Sequence, residues 1–303
     1  MADQATLNNQ TRDAPSARPG PRKRSWAGLG IVPFALFAVA FMLLPTVFLV
    51  VGSFQDVQGQ ITLQNYADIT TTESLLNAFR NSIQVSLITA IGGGIFGFLL
   101  AYAVILGGLP GFLRSALMTF SGVASNFAGV PLALAFVFTI GQVGLLTTFL
   151  KNVFNFDFYD TGFNLYTMTG LSLTYMYFQF PLMILIVAPA LDGLKREWRE
   201  ASENLGATSW QYWRYVALPI LAPSLLGAII LLFGNAFGAQ ATAFQLTGGT
   251  IPLATIVIGA QIRGDVLHNP GLGYAMAMGM VVIMGVCILA YSWLQRRSER
   301  WLR

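Results

Sequence analysis

The densest group of side chains able to do acid–base or ion-pair chemistry lies between Asp192 and Arg214, which hold eight of the chain's 30 Lys, Arg, Asp and Glu residues. Glu197, Glu200 and Glu203 recur there at helical spacing beside Arg199. That arrangement suits a solvated or docking face better than two acids converging on one reacting atom. Other reactive groups are sparse. His268 is the single histidine and Cys287 the single cysteine, so neither a His/Cys metal cluster nor a disulfide framework can be built. None of the three lysines follows a glycine, so the G-x-x-x-x-G-K-[ST] phosphate loop is missing and no ATP binding or hydrolysis is expected of this chain. No catalytic residue, metal ligand or cofactor is assigned, and an enzyme is the weakest of the functional classes.

The elements that must position this cluster follow from composition. Of 303 residues, 55% are hydrophobic and only 10% charged, with a mean hydropathy of +0.62. Soluble domains carry roughly 25% charged residues, so this is an all-α integral membrane protein. Crossing about 30 Å of hydrocarbon takes about 20 apolar residues. Six windows qualify, at about 30–53, 82–106, 115–140, 167–191, 220–245 and 271–294, and none contains Lys, Arg, Asp or Glu. Runs of this length satisfy their backbone polar groups as helices. They form one membrane domain over 29–295, between a basic, disordered tail (1–28) and a short basic C-terminal tail (296–303). The first span is too long for the apolar region of a secretory signal and is read as an uncleaved anchor.

Charge gives the orientation. Of 17 Lys and Arg residues, 14 fall in the two tails, the 107–114 loop and the 192–219 segment. Only Arg80, Lys151 and Arg263 lie in the alternate loops, 54–81, 141–166 and 246–270. The positive-inside rule then places both termini and the 192–219 segment in the cytoplasm. The basic residues belong to membrane flanks, so nucleic acid is not an expected partner. Within the last external loop, Leu253–Gln261 is apolar enough for a short interfacial or re-entrant helix.

Within the spans, small residues form stripes: Gly93 and Gly97 in the second, Gly271, Ala275 and Gly279 in the sixth. Such stripes allow close helix packing in lipid, and packing is preferred over a moving interface. Pro45, Pro131, Pro181 and Pro189 lie in or near spans and would kink them or cap local breaks. The polar residues inside the spans are all neutral: Ser125, Asn126, Tyr177, Gln179, Asn235, Gln240, Thr242 and Gln245. A proton- or ion-coupled carrier or channel would show ionisable groups there or an inverted repeat, and neither is found. Asn126, Gln179, Asn235 and Gln240 are the candidates for lining a pathway, with helix-to-helix hydrogen bonding as the alternative for each.

The charged stretch itself reads as helix, turn, helix. Leu194, Trp198, Ala201 and Leu205 share one face, Arg199 and Glu203 form an i, i+4 pair, and Gly206 stands where a left-handed residue ends the helix. Ser209 can cap a second short helix, and Pro219 can begin the fifth span. Pattern alone also allows an amphipathic segment lying in the headgroups, anchored by Trp198, Trp210 and Trp213.

Spacing separates these readings. Glu200-Ala201-Ser202, three residues, Gly206, nine residues and Val216-Ala217-Leu218-Pro219 resemble the EAA-x3-G-x9-I-x-L-P loop of permease subunits of binding-protein-dependent ABC importers. The match departs by Ser202 for a third small residue and by Val216 for Ile. It lies in the loop between the fourth and fifth spans, as in that family. The resemblance implies a type I, MetI-like architecture of six transmembrane helices in a prokaryotic plasma (inner) membrane. It implies that Glu200, Ala201, Ser202, Gly206, Val216, Leu218 and Pro219 couple the chain to a separate ATPase subunit dimer, which carries the ATP and Mg. It further implies a second permease subunit, identical or similar, and an extracytoplasmic solute-binding protein. The stretches NAFGAQATAFQLTGG and PGLGYAMAMGMVVIMG look most like the polyamine-type branch. Sugar, ferric iron, phosphonate or sulfate are the alternatives within the family.

Overall fold

The computed structural model describes residues 31–263 and 269–299, the side chains of 297–299 excepted. The tail expected over 1–28, the end of the C-terminal tail (300–303) and His268 lie outside the described residues. Everything long in the described chain is helical. Six stretches are long and apolar enough to cross a membrane: Val32–Ser53 (α1), Glu73–Leu106, Val130–Phe154, Met168–Asp192, Ser209–Gly238 and Pro270–Arg296.

Between α1 and the second span the expected external loop is largely helical. Gln64–Thr71 (α2) is followed after Thr72 by Glu73–Leu106 (α3). With 34 residues, α3 is about 51 Å long, well beyond the hydrocarbon thickness, so it stands out of the bilayer.

The third span is broken, where the sequence suggested a continuous helix over 115–140. Gly111–Asn126 (α4) ends at Phe127, and Val130–Ile140 (α5) starts after Gly129, which has φ +75°. The α4–α5 pair runs antiparallel to Met168–Asp192 (α7). At one end Arg114 of α4 donates to Asp192, the last residue of α7, at 2.6–2.8 Å. At the other, Tyr159 Oη donates to the Ile140 carbonyl at 3.0 Å, close to where α7 begins. Leu145–Phe154 (α6) follows after Gly144, so the 25-residue apolar stretch Val130–Phe154 is made of two helices, α5 and α6.

After α7 come Arg196–Asn204 (α8), the long helix Ser209–Gly238 (α9), Ala241–Thr247 (α10), Ala254–Arg263 (α11) and Pro270–Glu299 (α12). Helix α11 occupies the position of the short helix expected around Leu253–Gln261. Two further boundaries differ from the sequence reading. The fifth span, taken as 220–245, stops at Gly238 and restarts as α10. The C-terminal tail is still helical through Glu299.

The glycines of α3 bring it against α7. A Cβ on Gly93 would lie 2.6 Å from Gln179 Cβ, and one on Gly97 2.6 Å from Met183 Cβ. Burial is concentrated here: Tyr175, Phe178, Met183, Val187 and Leu191 of α7 are at most 1% exposed. Beyond Gly93, Gln179 crosses to α9. It is fully buried, its Nε2 donating to the Leu232 carbonyl at 3.0 Å and lying 3.4 Å from Thr89 Oγ1.

Two prolines are accommodated in one way. In α1 a π-turn covers Val39–Leu43 and in α9 another covers Trp213–Ala217, each ending two residues before a proline, Pro45 or Pro219. The wide turn is closed by Leu44 N–H to Val39 O and by Leu218 N–H to Trp213 O. It shifts the carbonyls that the proline ring would strike and that its missing N–H would leave unpaired. Pro181 and Pro189 sit inside α7, which continues through both.

Candidate functional site

Two regions carry the polar chemistry: the projection at residues 195–219 and a cavity where the two broken helices meet.

In the projection, α8 runs from the Lys195 cap to Asn204, and none of its residues is buried. Its charges pair along the helix. Arg196 Nε donates to Glu200 at 2.8 Å and Arg199 Nε to Glu203 at 2.9 Å, both i, i+4. These exposed pairs stiffen the helix by about 0.2–0.5 kcal/mol each. The helix ends in a Schellman motif: Gly206 N–H meets Glu203 O at 2.9 Å and Ala207 N–H meets Ser202 O at 3.0 Å. Gly206 has φ +78°, the left-handed conformation the sequence assigned to it.

The next helix is capped by Thr208, not by Ser209. Gln211 N–H donates to Thr208 Oγ1 at 3.3 Å while Thr208 N–H donates to Gln211 Oε1 at 2.7 Å, a reciprocal capping box. The T-x-x-Q spacing was there to be read. This helix is also not a separate short element. Through the π-turn it runs straight into the fifth span, so Pro219 is internal to α9 and does not begin it. A rigid rod thus joins the projection to the membrane. Tyr212 is buried and Trp213 packs edge-on against Phe98 and Tyr102 of α3, tying the rod to the bundle. On its outer side Leu205, Trp210 and Tyr215 are 88%, 70% and 70% exposed, beside Glu200, Ala201 and Gly206. Among the sequence-assigned coupling residues, Ser202 and Val216 are half-buried, and Leu218 and Pro219 are exposed further along the rod.

The cavity, of about 620 Å3, lies between the breaks at Phe127–Gly129 and Ala239–Gln240. The breaks touch: Gly129 N–H donates to Thr242 Oγ1 at 2.8 Å. The carbonyl freed at Ala239 accepts the hydroxyl of buried Tyr175 from α7. Backbone groups exposed by breaking a helix in a membrane need such partners. Asn126, Asn235 and Gln240 line the cavity together with Ser125 and Thr242. Gln179 does not line this cavity: its Nε2 is spent on Leu232 O, holding α7 to α9, the helix-to-helix bond that was the alternative for it. A second cavity of about 590 Å3 shares Gln240 and Ala241 and extends to Gln245, Gly259 and Arg263 of α11. A Cβ on Gly259 would lie 2.5 Å from Gln240 Nε2, so glycine leaves room for that amide.

Sequence reasoning missed the pairing of the breaks. Pro131 hinted at the first, since it sits at the second residue of α5. Nothing in NAFGAQATAF marked the second, because Ala239 and Gln240 are unremarkable in a helix. Thr242 and Tyr175, which hold the junction, were not singled out for it.

The wall of the two cavities presents hydroxyl, amide and guanidinium groups and no carboxylate. It can donate hydrogen bonds to a polar solute, from neutral groups in the first cavity and from the charged Arg263 in the second.

Comparison with known proteins agrees with this geometry. A family model described as the inner membrane component of binding-protein-dependent transport systems matches residues 93–303. The sulfate transport system permease protein CysT of Salmonella typhimurium is 29% identical over 260 residues, covering 85% of this chain and 87% of that protein. The sulfate transport system permease protein CysW of Escherichia coli is 25% identical over 280 residues, covering 92% and 91%. In fold, the chain is similar to a subunit of a bacterial ABC transporter involved in the import of alginate, with TM-score 0.70 at 17% identity, over 90% of this chain and 96% of that one. The matched residues include the projection and both breaks. This chain therefore belongs to the family of inner membrane components of binding-protein-dependent transport systems: it is a multi-pass permease subunit of an ABC importer, with no nucleotide site of its own and not itself catalytic.

Proposed function

We propose that this permease forms, with a second permease chain, the passage for sulfate or a closely similar oxyanion. A solute-binding protein delivers the anion on the outer side, and an ATPase subunit docks on the projection at the cytoplasmic side. The observation that carries the substrate is the naming of the curated relatives: CysT and CysW proteins, 25–29% identical over 85–92% of this chain, are sulfate permeases.

The cavity chemistry supports the same choice. A sulfate dianion is satisfied by many hydrogen-bond donors, and the side-chain amides of Asn126, Asn235 and Gln240, with Arg263 beyond them, supply donors. A polyamine, which the sequence resemblance favoured, would call for carboxylates, and none lines either cavity. The donors of the first cavity are neutral, which suits passage because an opposite charge there would hold a dianion firmly, and the charged Arg263 lies in the second cavity. The fourteen-to-three division of Lys and Arg supports the cytoplasmic placement of the projection and termini.

The test is reconstitution of the permease with its ATPase subunit and binding protein in proteoliposomes. Sulfate is expected to stimulate ATP hydrolysis and to accumulate inside, with spermidine inert. Stimulation by spermidine and none by sulfate would overturn the substrate. Glu200→Lys is expected to abolish uptake and release the ATPase subunit on mild detergent extraction. Normal uptake with the ATPase still bound would overturn the docking assignment.

A further inference from the structure

Helix α6 divides into two chemical halves. Leu145, Phe149 and Val153 centre the apolar half, while Thr147, Thr148, Lys151 and Asn152 form the other. Of the polar half only Thr147 is buried, and Thr148, Lys151 and Asn152 are exposed. Thr147 is 1% exposed, whereas Leu145, Phe149 and Val153 are 77%, 52% and 59% exposed. The apolar half is thus left without a cover among the described residues.

Lys151 ties the polar half to the turn that follows. Lys151 Nζ donates to Asp157 at 3.1 Å, and Asp157 accepts the Tyr159 N–H at 2.9 Å. Tyr159 in turn donates to Ile140 O at the end of α5. These bonds link α6, through the turn that follows it, to the end of α5.

The depth of α6 follows from what it is attached to. It begins five residues after Ile140, the end of the helix pair that runs along the α7 span, and Gly144 caps it. Ten residues extend about 15 Å, too short to cross the bilayer. Its apolar half adds to exposed apolar residues on the preceding span: Phe138 on α5 is 70% exposed and Val143 in the connection 93%. This continuity favours acyl chains over a protein partner as the occupant.

We infer that α6 is an interfacial helix lying in the membrane surface beyond α5, with its apolar half sunk among the acyl chains of that leaflet and its polar half turned to the protein at Thr147 and to water at Thr148 and Asn152. The helix anchors α5, and with it the cavity wall at Val130, at a fixed depth. The inference rests on this chain spanning the bilayer and is independent of the solute carried.

Single cysteines at Phe149→Cys, Val153→Cys and Thr148→Cys, each in a Cys287→Ser background, can carry a nitroxide in the complete transporter in lipid nanodiscs. Oxygen, which partitions into lipid, is expected to relax the label more than a water-soluble nickel chelate at positions 149 and 153, with the order reversed at 148. Nickel dominating at 149 and 153 would put the face in water and overturn the inference. Shielding from both reagents there, with or without added solute-binding protein, would assign the face to a protein partner and equally overturn it. ATP-driven uptake by the labelled variants reads out the permease assignment separately.

Discussion

Gly206→Ala tests the projection through its backbone alone. Gly206 has φ +78°, and a Cβ built on it would meet nothing within 4 Å. The methyl group therefore costs no collision, and the whole penalty is that of holding an L-residue in the left-handed region, about 1–2 kcal/mol. The native turn then loses roughly 5–30-fold against its alternatives. Those alternatives open the Schellman bonds at Glu203 and Ser202 and swing α8 away from the rod of α9. Because the turn lies outside the spans, the amount of protein in the membrane should not change. Docking of the ATPase subunit and uptake should fall together, by no more than that factor. Asparagine tolerates the left-handed conformation better than alanine, so Gly206→Asn should recover part of the loss. The assay is uptake and ATPase retention for wild type, Gly206→Ala and Gly206→Asn at matched membrane levels. Wild-type coupling in the alanine variant, or asparagine worse than alanine, would refute a role for the left-handed turn.

Two other outcomes follow from local geometry. Gly93→Ala must move its methyl by about 0.8 Å to bring the 2.6 Å approach to Gln179 Cβ out to 3.4 Å, which should destabilise the folded protein by about 1–3 kcal/mol in detergent unfolding. Gly122→Ala, with nothing within 4 Å of its Cβ, should instead be neutral or stabilise α4 by up to about 1 kcal/mol. The Tyr159 N–H donated to Asp157, and then Lys151, hold that carboxyl below the usual carboxylate range. A depressed carboxyl contributes stability above its unfolded pKa of about 4, and loses it as pH falls through the lower folded value. Hydrogen exchange of the Tyr159 amide, corrected for intrinsic rate, should therefore lose protection only in acid, and Asp157→Asn should abolish that pH dependence.

Local patterns carried much of this molecule. The helix over 196–204, its reversal at Gly206 and the Arg199–Glu203 pair were legible because each depends on residues within four or five positions of one another. The second cap was misplaced by one residue, at Ser209 in place of Thr208, since either hydroxyl fits the position and only the reciprocal bond with Gln211 selects one. The continuity of α9 through Pro219 was missed because proline reads as a helix start unless a preceding π-turn absorbs its missing N–H. Gln179 and Asn235 look alike in composition, each a neutral amide in an apolar run. One clamps Leu232 while the other faces a cavity, and that difference lies in the neighbouring helix.

What the sequence by itself determined is the number of apolar runs, the asymmetry of positive charge and the spacing of the projection. Bilayer thickness, the charge rule and helical period act on consecutive residues, so these features needed no tertiary information. Only the tertiary structure decided that the third and fifth spans break, and that their breaks meet through Gly129 and Thr242. A helix can stop inside a membrane only where another element satisfies its freed backbone. Those partners, Thr242 and Tyr175, are 113 and 64 residues away from the groups they complete.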